Sequence, residues 1–169
     1  MKYQNFRLLL SVEKEQRIII PEIVHPLKYR IEQFCVYQER CQQEVRQKLF
    51  EWGAHSNEVE QLIADLISSN YLNEERFAIA FVGGKFRIKK WGRKKIIYAL
   101  KQKQVSSYCI TRGLKEIDEE VYMDTLEKVL LSKSKNYTSG TAIQKKKIAL
   151  FAQQRGFESE LIWKLINKK

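Results

Sequence analysis

Lysine and arginine crowd one stretch of this chain. Lys85, Arg87, Lys89 and Lys90 run up to Trp91-Gly92; Arg93, Lys94 and Lys95 follow at once, with Lys101 and Lys103 shortly after. No Asp or Glu lies among them, so neighbours such as Lys85 and Lys89 repel across a helical turn by roughly 0.2–0.5 kcal/mol. Cations in the first turn of a helix also oppose its dipole, which places Arg93 to Lys95 at the wrong end of the helix they begin. A sequence that keeps these costs, where one acidic residue would remove them, has a use for the charge. The chemistry on offer is phosphate binding: a helix start carrying three cations and unpartnered backbone N–H groups suits an oxyanion. The competing reading is a solvated face that serves solubility.

Catalytic chemistry has no comparable support. The chain has no glycine-rich phosphate loop, no histidine beside a nucleophile and no H-E-x-x-H, so we expect no enzymatic activity. Cys35, Cys41 and Cys109 are odd in number and lack C-x-x-C spacing, and His25 and His55 stand far apart. Neither a disulfide framework nor a metal site follows, and reduced thiols in a cytoplasmic protein are expected, with no cofactor.

Of the 169 residues, 31 are Lys or Arg and 20 are Asp or Glu, a net charge of +11. That surplus is local. Residues 1–70 carry −1, residues 71–112 carry +9, and residues 113–169 carry +3. A basic surplus of this size points to a polyanion, with nucleic acid ahead of membrane. No apolar run approaches the ~20 residues a spanning helix needs, and Phe6 to Leu10, interrupted by Arg7, is too short for a signal peptide. With hydrophobic residues at 44% and aromatics at 11%, the chain has the material for a packed core rather than global disorder.

The elements that position the cations are helices. Pro21 and Pro26 are the only prolines, and a proline-free stretch from 27 to 169 favours continuous helices with short turns. Gly53, Gly92, Gly113, Gly140 and Gly156 serve as stops or links between them. Start signals fall between the same segments. Asn57 with Glu60 and Thr141 with Gln144 have capping-box spacing, and Asn73 and Asp118 each precede two glutamates. Residues 1–26 differ: Phe6 to Val12 and Arg17 to Ile20 are β-leaning, and a small hairpin, an extension paired elsewhere and a disordered arm all remain open.

The helices repeat. With Gly53, Gln104 and Gly156 as anchors, the spacings are 51 and 52 residues. Apolar residues recur eight before (Val45, Ile96, Ile148), four before (Leu49, Leu100, Ala152), one after (Ala54, Val105, Phe157), six after (Val59, Ile110, Ile162) and ten after (Ile63, Leu114, Ile166). Steps of four keep these sites on one helical face. Each helix pair is preceded by another helix: Leu27 to Tyr37, Glu74 to Lys90, and Glu119 to about Ser134. The expectation is an all-α chain of three tandem three-helix repeats stacked into an elongated, curved array: 1–26 an extension, 27–72 the first repeat, 73–117 the basic second, 118–169 the third. Tyr71, Phe77 and Phe81 read as core with Ala78 and Ala80 beside them. Trp91 has two readings, base stacking or packing over the core, and its place beside a turn glycine favours packing. Lys145, Lys146 and Lys147 form a smaller basic patch on the third repeat.

These segments carry a family resemblance. Tyr71-Leu72-Asn73-Glu74-Glu75-Arg76-Phe77-Ala78, then Gly84-Lys85-Phe86-Arg87, Trp91-Gly92-Arg93 and Leu100-Lys101-Gln102-Lys103-Gln104-Val105 are similar to the RecX hallmark: L-D-D-x-x-F-A, a basic helix, a glycine, and L-x-x-K-G-I/V. In the first repeat, Glu39-Arg40-Cys41, Glu44-Val45 and Lys48-Leu49 to Gly53 fit the same series. In the third, Gln154-Arg155-Gly156-Phe157 resembles the closing R-G-F turn. Asn73-Glu74 replaces the usual acidic pair, and Gln104 stands where a turn glycine is common, so a different turn is expected there. The resemblance spans roughly residues 27 to 167. It implies a modulator that binds the RecA recombinase filament on single-stranded DNA and restrains its ATPase, strand exchange and coprotease activities, and a monomer is expected because three repeats close the core without a partner. Arg76, Lys85, Arg87, Lys89, Lys90, Arg93, Lys94 and Lys95 are the candidates for that face, with Lys101, Lys103 and Lys145 to Lys147 next. Direct binding of duplex DNA and a protein-interaction scaffold without nucleic acid are the alternatives.

Overall fold

The computed structural model describes residues 26–135 and 141–168, and the expectations for residues 1–25 lie outside them. Among the described residues nine helices follow one another with no strand. α1 (Pro26–Tyr37), α2 (Gln42–Glu51) and α3 (Ser56–Ser68) form a first group. α4 (Glu74–Arg87), α5 (Arg93–Gln102) and α6 (Ser107–Leu114) form a second, and α7 (Glu119–Ser134), α8 (Ala142–Gln154) and α9 (Ser159–Asn167) a third. The tandem three-helix architecture expected from the repeat is therefore present.

The anchors explain why the period is so regular. Gly53, Gln104 and Gly156 each end the middle helix of a group in the left-handed region, at φ 86°, 58° and 89°. Around each, the next residue's N–H reaches the carbonyl five residues back: Ala54 to Leu49, Val105 to Leu100 and Phe157 to Ala152, at 3.1–3.2 Å. This is a Schellman stop, and it swings the apolar residue after the anchor under its own helix. Gln104 thus makes the same turn as the two glycines, contrary to the expectation of a different one. Twelve of the fifteen aligned apolar residues are buried; Leu114, Ile148 and Ile166 are half-buried. Fully burying a side chain such as Leu100 contributes about 1.5–3 kcal/mol.

Helix starts follow the caps in part. Asn73 Oδ1 accepts from the Arg76 N–H at 2.9 Å, Asp118 from Val121 at 2.9 Å, and Thr141 from Gln144 at 3.4 Å. α3 begins earlier than Asn57 suggested. His55 is its N-cap, with Glu58 accepting from the His55 N–H, while Glu60 pairs with both guanidinium arms of Arg46. Gly113 is no stop: it lies inside α6, where an added Cβ would come 2.9 Å from the Ala78 carbonyl oxygen, so its bareness lets α6 lie close on α4. α4 ends at Arg87 rather than Lys90, because Lys90 turns left-handed (φ 54°) and sends Trp91 back, its N–H bonding the Lys85 carbonyl. Tyr71, expected in the core, is exposed, and Leu72 takes the buried place beside it.

Two cores result. Ile31, Val45, Leu49, Leu62, Leu66 and their neighbours close the first group on itself. The second and third groups share one continuous core, which Cys41 alone enters from the first. Phe86 stacks on Tyr122 at 5.7 Å between centroids, and Tyr122 packs on Phe157 at 5.3 Å, joining the two groups through aromatic contact.

Candidate nucleic-acid interface

The eleven cations of residues 71–112 divide by what they touch. Four are held by carboxylates. Arg76 Nε donates to Glu39 at 2.8 Å while its other nitrogens hold the Asn70 side chain and carbonyl. Arg93 pairs with Glu119 and lies over the Tyr122 ring. Lys103 Nζ donates to Glu44 at 2.7 Å, and Arg112 to Glu75 at 2.9 Å. Lys85 and Lys95 sit over Trp91, 5.2 and 4.7 Å from its ring centroid, and Lys95 also donates to the Gln154 carbonyl.

The remaining five, Arg87, Lys89, Lys90, Lys94 and Lys101, are exposed and have no carboxylate partner among the described residues. They run from the last turn of α4 through the α4–α5 link to the outer face of α5, where Lys94 and Lys101 lie two turns apart on one side. The contrast with the first group is sharp. There Lys28, Arg46 and Lys48 are paired with Asp65, Glu60 and Glu51, and Arg30 and Arg40 lie over Trp52 and Phe34.

The expected oxyanion site at the start of α5 is overturned. The Gly92 N–H donates to the Arg155 carbonyl at 2.8 Å, Arg93 to the Tyr122 hydroxyl at 3.1 Å, and Lys94 to the Gly156 carbonyl at 3.0 Å. These N–H groups are consumed in joining the second and third groups, so any phosphate must be met by side chains. The Tyr122 hydroxyl passes the contact on by donating to Glu158 at 2.6 Å. Burial above all, and then the Glu158 carboxylate, push its pKa well above the usual tyrosine value.

Arg76, Arg93 and Lys103 therefore tie groups together, while Lys85 and Lys95 flank an aromatic ring. Lys145 is half-buried beside Leu165 and Ile166, and Lys146 and Lys147 are exposed, apart from the α4–α5 stretch in sequence. Trp91 packs half-buried against the core, as its position beside Gly92 suggested, yet it also lines a cleft of about 480 Å³ between α2 and α5. Tyr98, Gln102, Gln43 and Gln47 share that cleft. Sequence reasoning passed over them; the signal available was Lys94-x-x-x-Tyr98-x-x-Lys101, an aromatic between two cations on one helical face. The three cysteines are buried and form no disulfide, and burial pushes the Cys35 thiol up to about 11. Among the described residues no group of side chains has the makings of a metal site, and no helix is long and apolar enough to cross a membrane.

Comparison with known proteins joins this geometry to a family. Residues 73–114 match the second three-helix domain of RecX, and residues 120–166 match the third. A "Regulatory protein RecX" of Clostridium tetani is 26% identical over 132 residues, covering 76% of this chain and 60% of that one. One from Clostridium perfringens is 36% identical over 90 residues, covering 53% and 42%, and one from Acinetobacter baylyi is 28% identical over 130 residues, covering 77% and 79%. The chain thus spans about half the length of the clostridial relatives it matches. A crystal structure of RecX from Lactobacillus salivarius superposes with a TM-score of 0.75 at 19% identity, over 84% of this chain and 93% of that one. A second crystal structure, of regulatory protein RecX, gives 0.76 at 20%, over 85% and 72%; these two establish the fold. With the second and third domains matched in order over more than half its length, this chain belongs to the RecX family.

Proposed function

We propose that this protein is a cytoplasmic, monomeric modulator that binds the RecA filament on single-stranded DNA and restrains its ATPase, strand exchange and coprotease activities, by binding rather than by catalysis. The observation that carries the reading is the row of five unpaired cations, Arg87, Lys89, Lys90, Lys94 and Lys101, on the second domain of a RecX-family chain. In the first domain every cation is paired with a carboxylate or lies over a ring, so five cations left unpaired in one stretch of the second fit a phosphate backbone. Lys85, Lys95 and Lys145 to Lys147 belong to the wider basic surface. Arg76, Arg93 and Lys103 act by holding the domains in register.

The test is single-stranded-DNA-dependent ATP hydrolysis by the cognate RecA, with this protein titrated upward from far below stoichiometric amounts. Inhibition by the wild type, lost when the five cations become Gln and kept in a variant changed at Gln61 and Ala64 on the exposed face of α3, supports the reading. ATP hydrolysis unaffected at stoichiometric protein, with no filament retained in a pull-down, overturns it. Direct duplex binding would instead give a log–log salt slope of about −4.5 from five phosphate contacts, with no dependence on RecA.

A further inference from the structure

Unpaired cations explain affinity for a phosphate chain but not the cleft beside them. On α5, Lys94 and Lys101 occupy the outer side. Lys95, Ala99 and Gln102 turn about a quarter-circle away into the cleft shared with α2. Tyr98 stands between these two sides, at the rim, with two-thirds of its surface exposed. Across the cleft α2 presents the amides of Gln43 and Gln47 and the Glu44 carboxylate, which Lys103 neutralises, and Trp91 forms part of the wall. Tyr29, Tyr37 and Tyr108 are exposed as well, but Tyr98 alone of these stands at the mouth of this cleft, between a cationic stripe and a set of carboxamides.

We infer that the α2–α5 cleft takes one unpaired nucleobase from a single strand whose phosphates run along Lys94 and Lys101. The base stacks on Tyr98 and turns its polar edge toward the carboxamides of Gln102, Gln43 and Gln47. The volume, about 480 Å³, accommodates a base with its sugar. Carboxamides carry donors and acceptors together, so they suit the mixed edge of any base and give contact without strict sequence choice. A paired base has its edge occupied and its faces covered, so duplex DNA is excluded from this cleft. The inference rests on the nucleic-acid side of the function proposed above, and adds to it a preference for bases over bare phosphate.

Fluorescence anisotropy at low salt tests it, using a labelled oligothymidylate and an abasic deoxyribose-phosphate strand of equal length. The wild type is expected to bind the oligothymidylate about tenfold tighter, the ratio that stacking of one base supplies. Tyr98→Ala removes that ratio by lowering oligothymidylate affinity to the abasic level, whereas Lys101→Gln weakens both strands together and leaves the ratio standing. Equal wild-type affinity for the two strands, absence of binding to either, or an equal loss on both strands in Tyr98→Ala overturns the cleft. RecA ATPase assays on the same samples separate the two ideas. Inhibition without base preference leaves the filament reading intact and removes the cleft; base preference without inhibition does the reverse.

Discussion

The two junctions between domains are built from different parts. Between the second and third, backbone meets backbone. Gly92 lies against Gly156 so closely that a Cβ on either would collide with the other strand of chain, and the N–H groups of Gly92 and Lys94 bond carbonyls of Arg155 and Gly156. Between the first and second, side chains do the joining: Glu39 with Arg76, Glu44 with Lys103, and Cys41 as the one apolar residue inserted across. One oxygen of Glu39 remains buried there without a partner. A backbone junction with a shared core has nothing that can let go singly, whereas a junction of half-exposed ion pairs weakens with salt and opens in small steps. On this contrast the second and third domains are expected to move as one platform carrying the cationic row, and the first domain to shift more readily as the far wall of the α2–α5 cleft.

The largest expected effect comes from substituting the same residue type in equivalent turns. Gly53 and Gly156 have nearly the same φ, but an added Cβ meets nothing at Gly53 and runs into the Lys95 backbone at Gly156. Gly53→Ala is expected to cost only the left-handed strain, about 1–2 kcal/mol. Gly156→Ala adds overpacking at a junction that cannot yield, for a total of about 3 kcal/mol or more. Urea denaturation of the two variants, side by side, checks it. Equal losses would mean that the backbone junction contributes no more than an open turn.

Tyr122→Phe comes next. It keeps the aromatic stack but leaves the Arg93 N–H unpaired and Glu158 without its donor, an expected loss of about 1–3 kcal/mol. It also changes the alkaline limb. The folded protein holds the Tyr122 proton above its ordinary value of 10.0, where the unfolded chain releases it. The stabilisation is therefore complete below pH 10 and declines as pH rises through the higher folded value. The variant should lose stability less steeply above pH 10. Cys35 behaves alike in the first domain, between its ordinary 9.0 and about 11, and burial raises the Cys109 thiol in the second as well, so the wild type should begin to lose stability above pH 9, read by tyrosine and thiol absorbance against melting temperature.

Smaller again is the side-chain junction. Lys103→Met removes one half-exposed ion pair, expected to cost about 0.2–1 kcal/mol and less at high salt, and Arg76→Met also loses two hydrogen bonds to Asn70, for about 1–2 kcal/mol. Their signature is location rather than size. Amide exchange should quicken at the start of α2 and α4 while α7 to α9 keep their protection. Uniform quickening through the third domain would show that the first domain is not separately movable.

Much of this organisation was legible in the residues, and what was hidden has a physical reason. The anchor period gave the three groups because each Schellman stop fixes which residue follows it under the core. The excess charge of residues 71–112 was likewise plain. Which cations are spent was not, because Glu39, Glu44 and Glu119 lie 37, 59 and 26 positions from Arg76, Lys103 and Arg93. The start of α5 misled for the same cause: its N–H groups are taken by the Tyr122 hydroxyl and by a turn some sixty residues away, which local dipole arguments do not see. Tyr98 was passed over because an exposed tyrosine gains meaning only when α2 stands opposite it.

Gln104 offers the finest test of the comparison. It holds a left-handed φ of 58° without a glycine's freedom, in the turn that carries Lys103 to Glu44. Its side chain is exposed, so Gln104→Gly removes no packing and relieves strain, against a modest entropic gain by the unfolded chain. The net expectation is a stabilisation of about 0.5–1 kcal/mol in denaturant. If the Gln side chain merely decorates the turn, affinity for oligothymidylate is unchanged and only the midpoint moves. A left-handed Gln kept to hold Lys103 rigidly across the junction predicts otherwise: the Gly variant is more stable yet discriminates less between oligothymidylate and the abasic strand, because the cleft wall it anchors has loosened. Stability and base preference moving in opposite directions would tie the side-chain junction to the cleft, something that simple loss of fold cannot imitate.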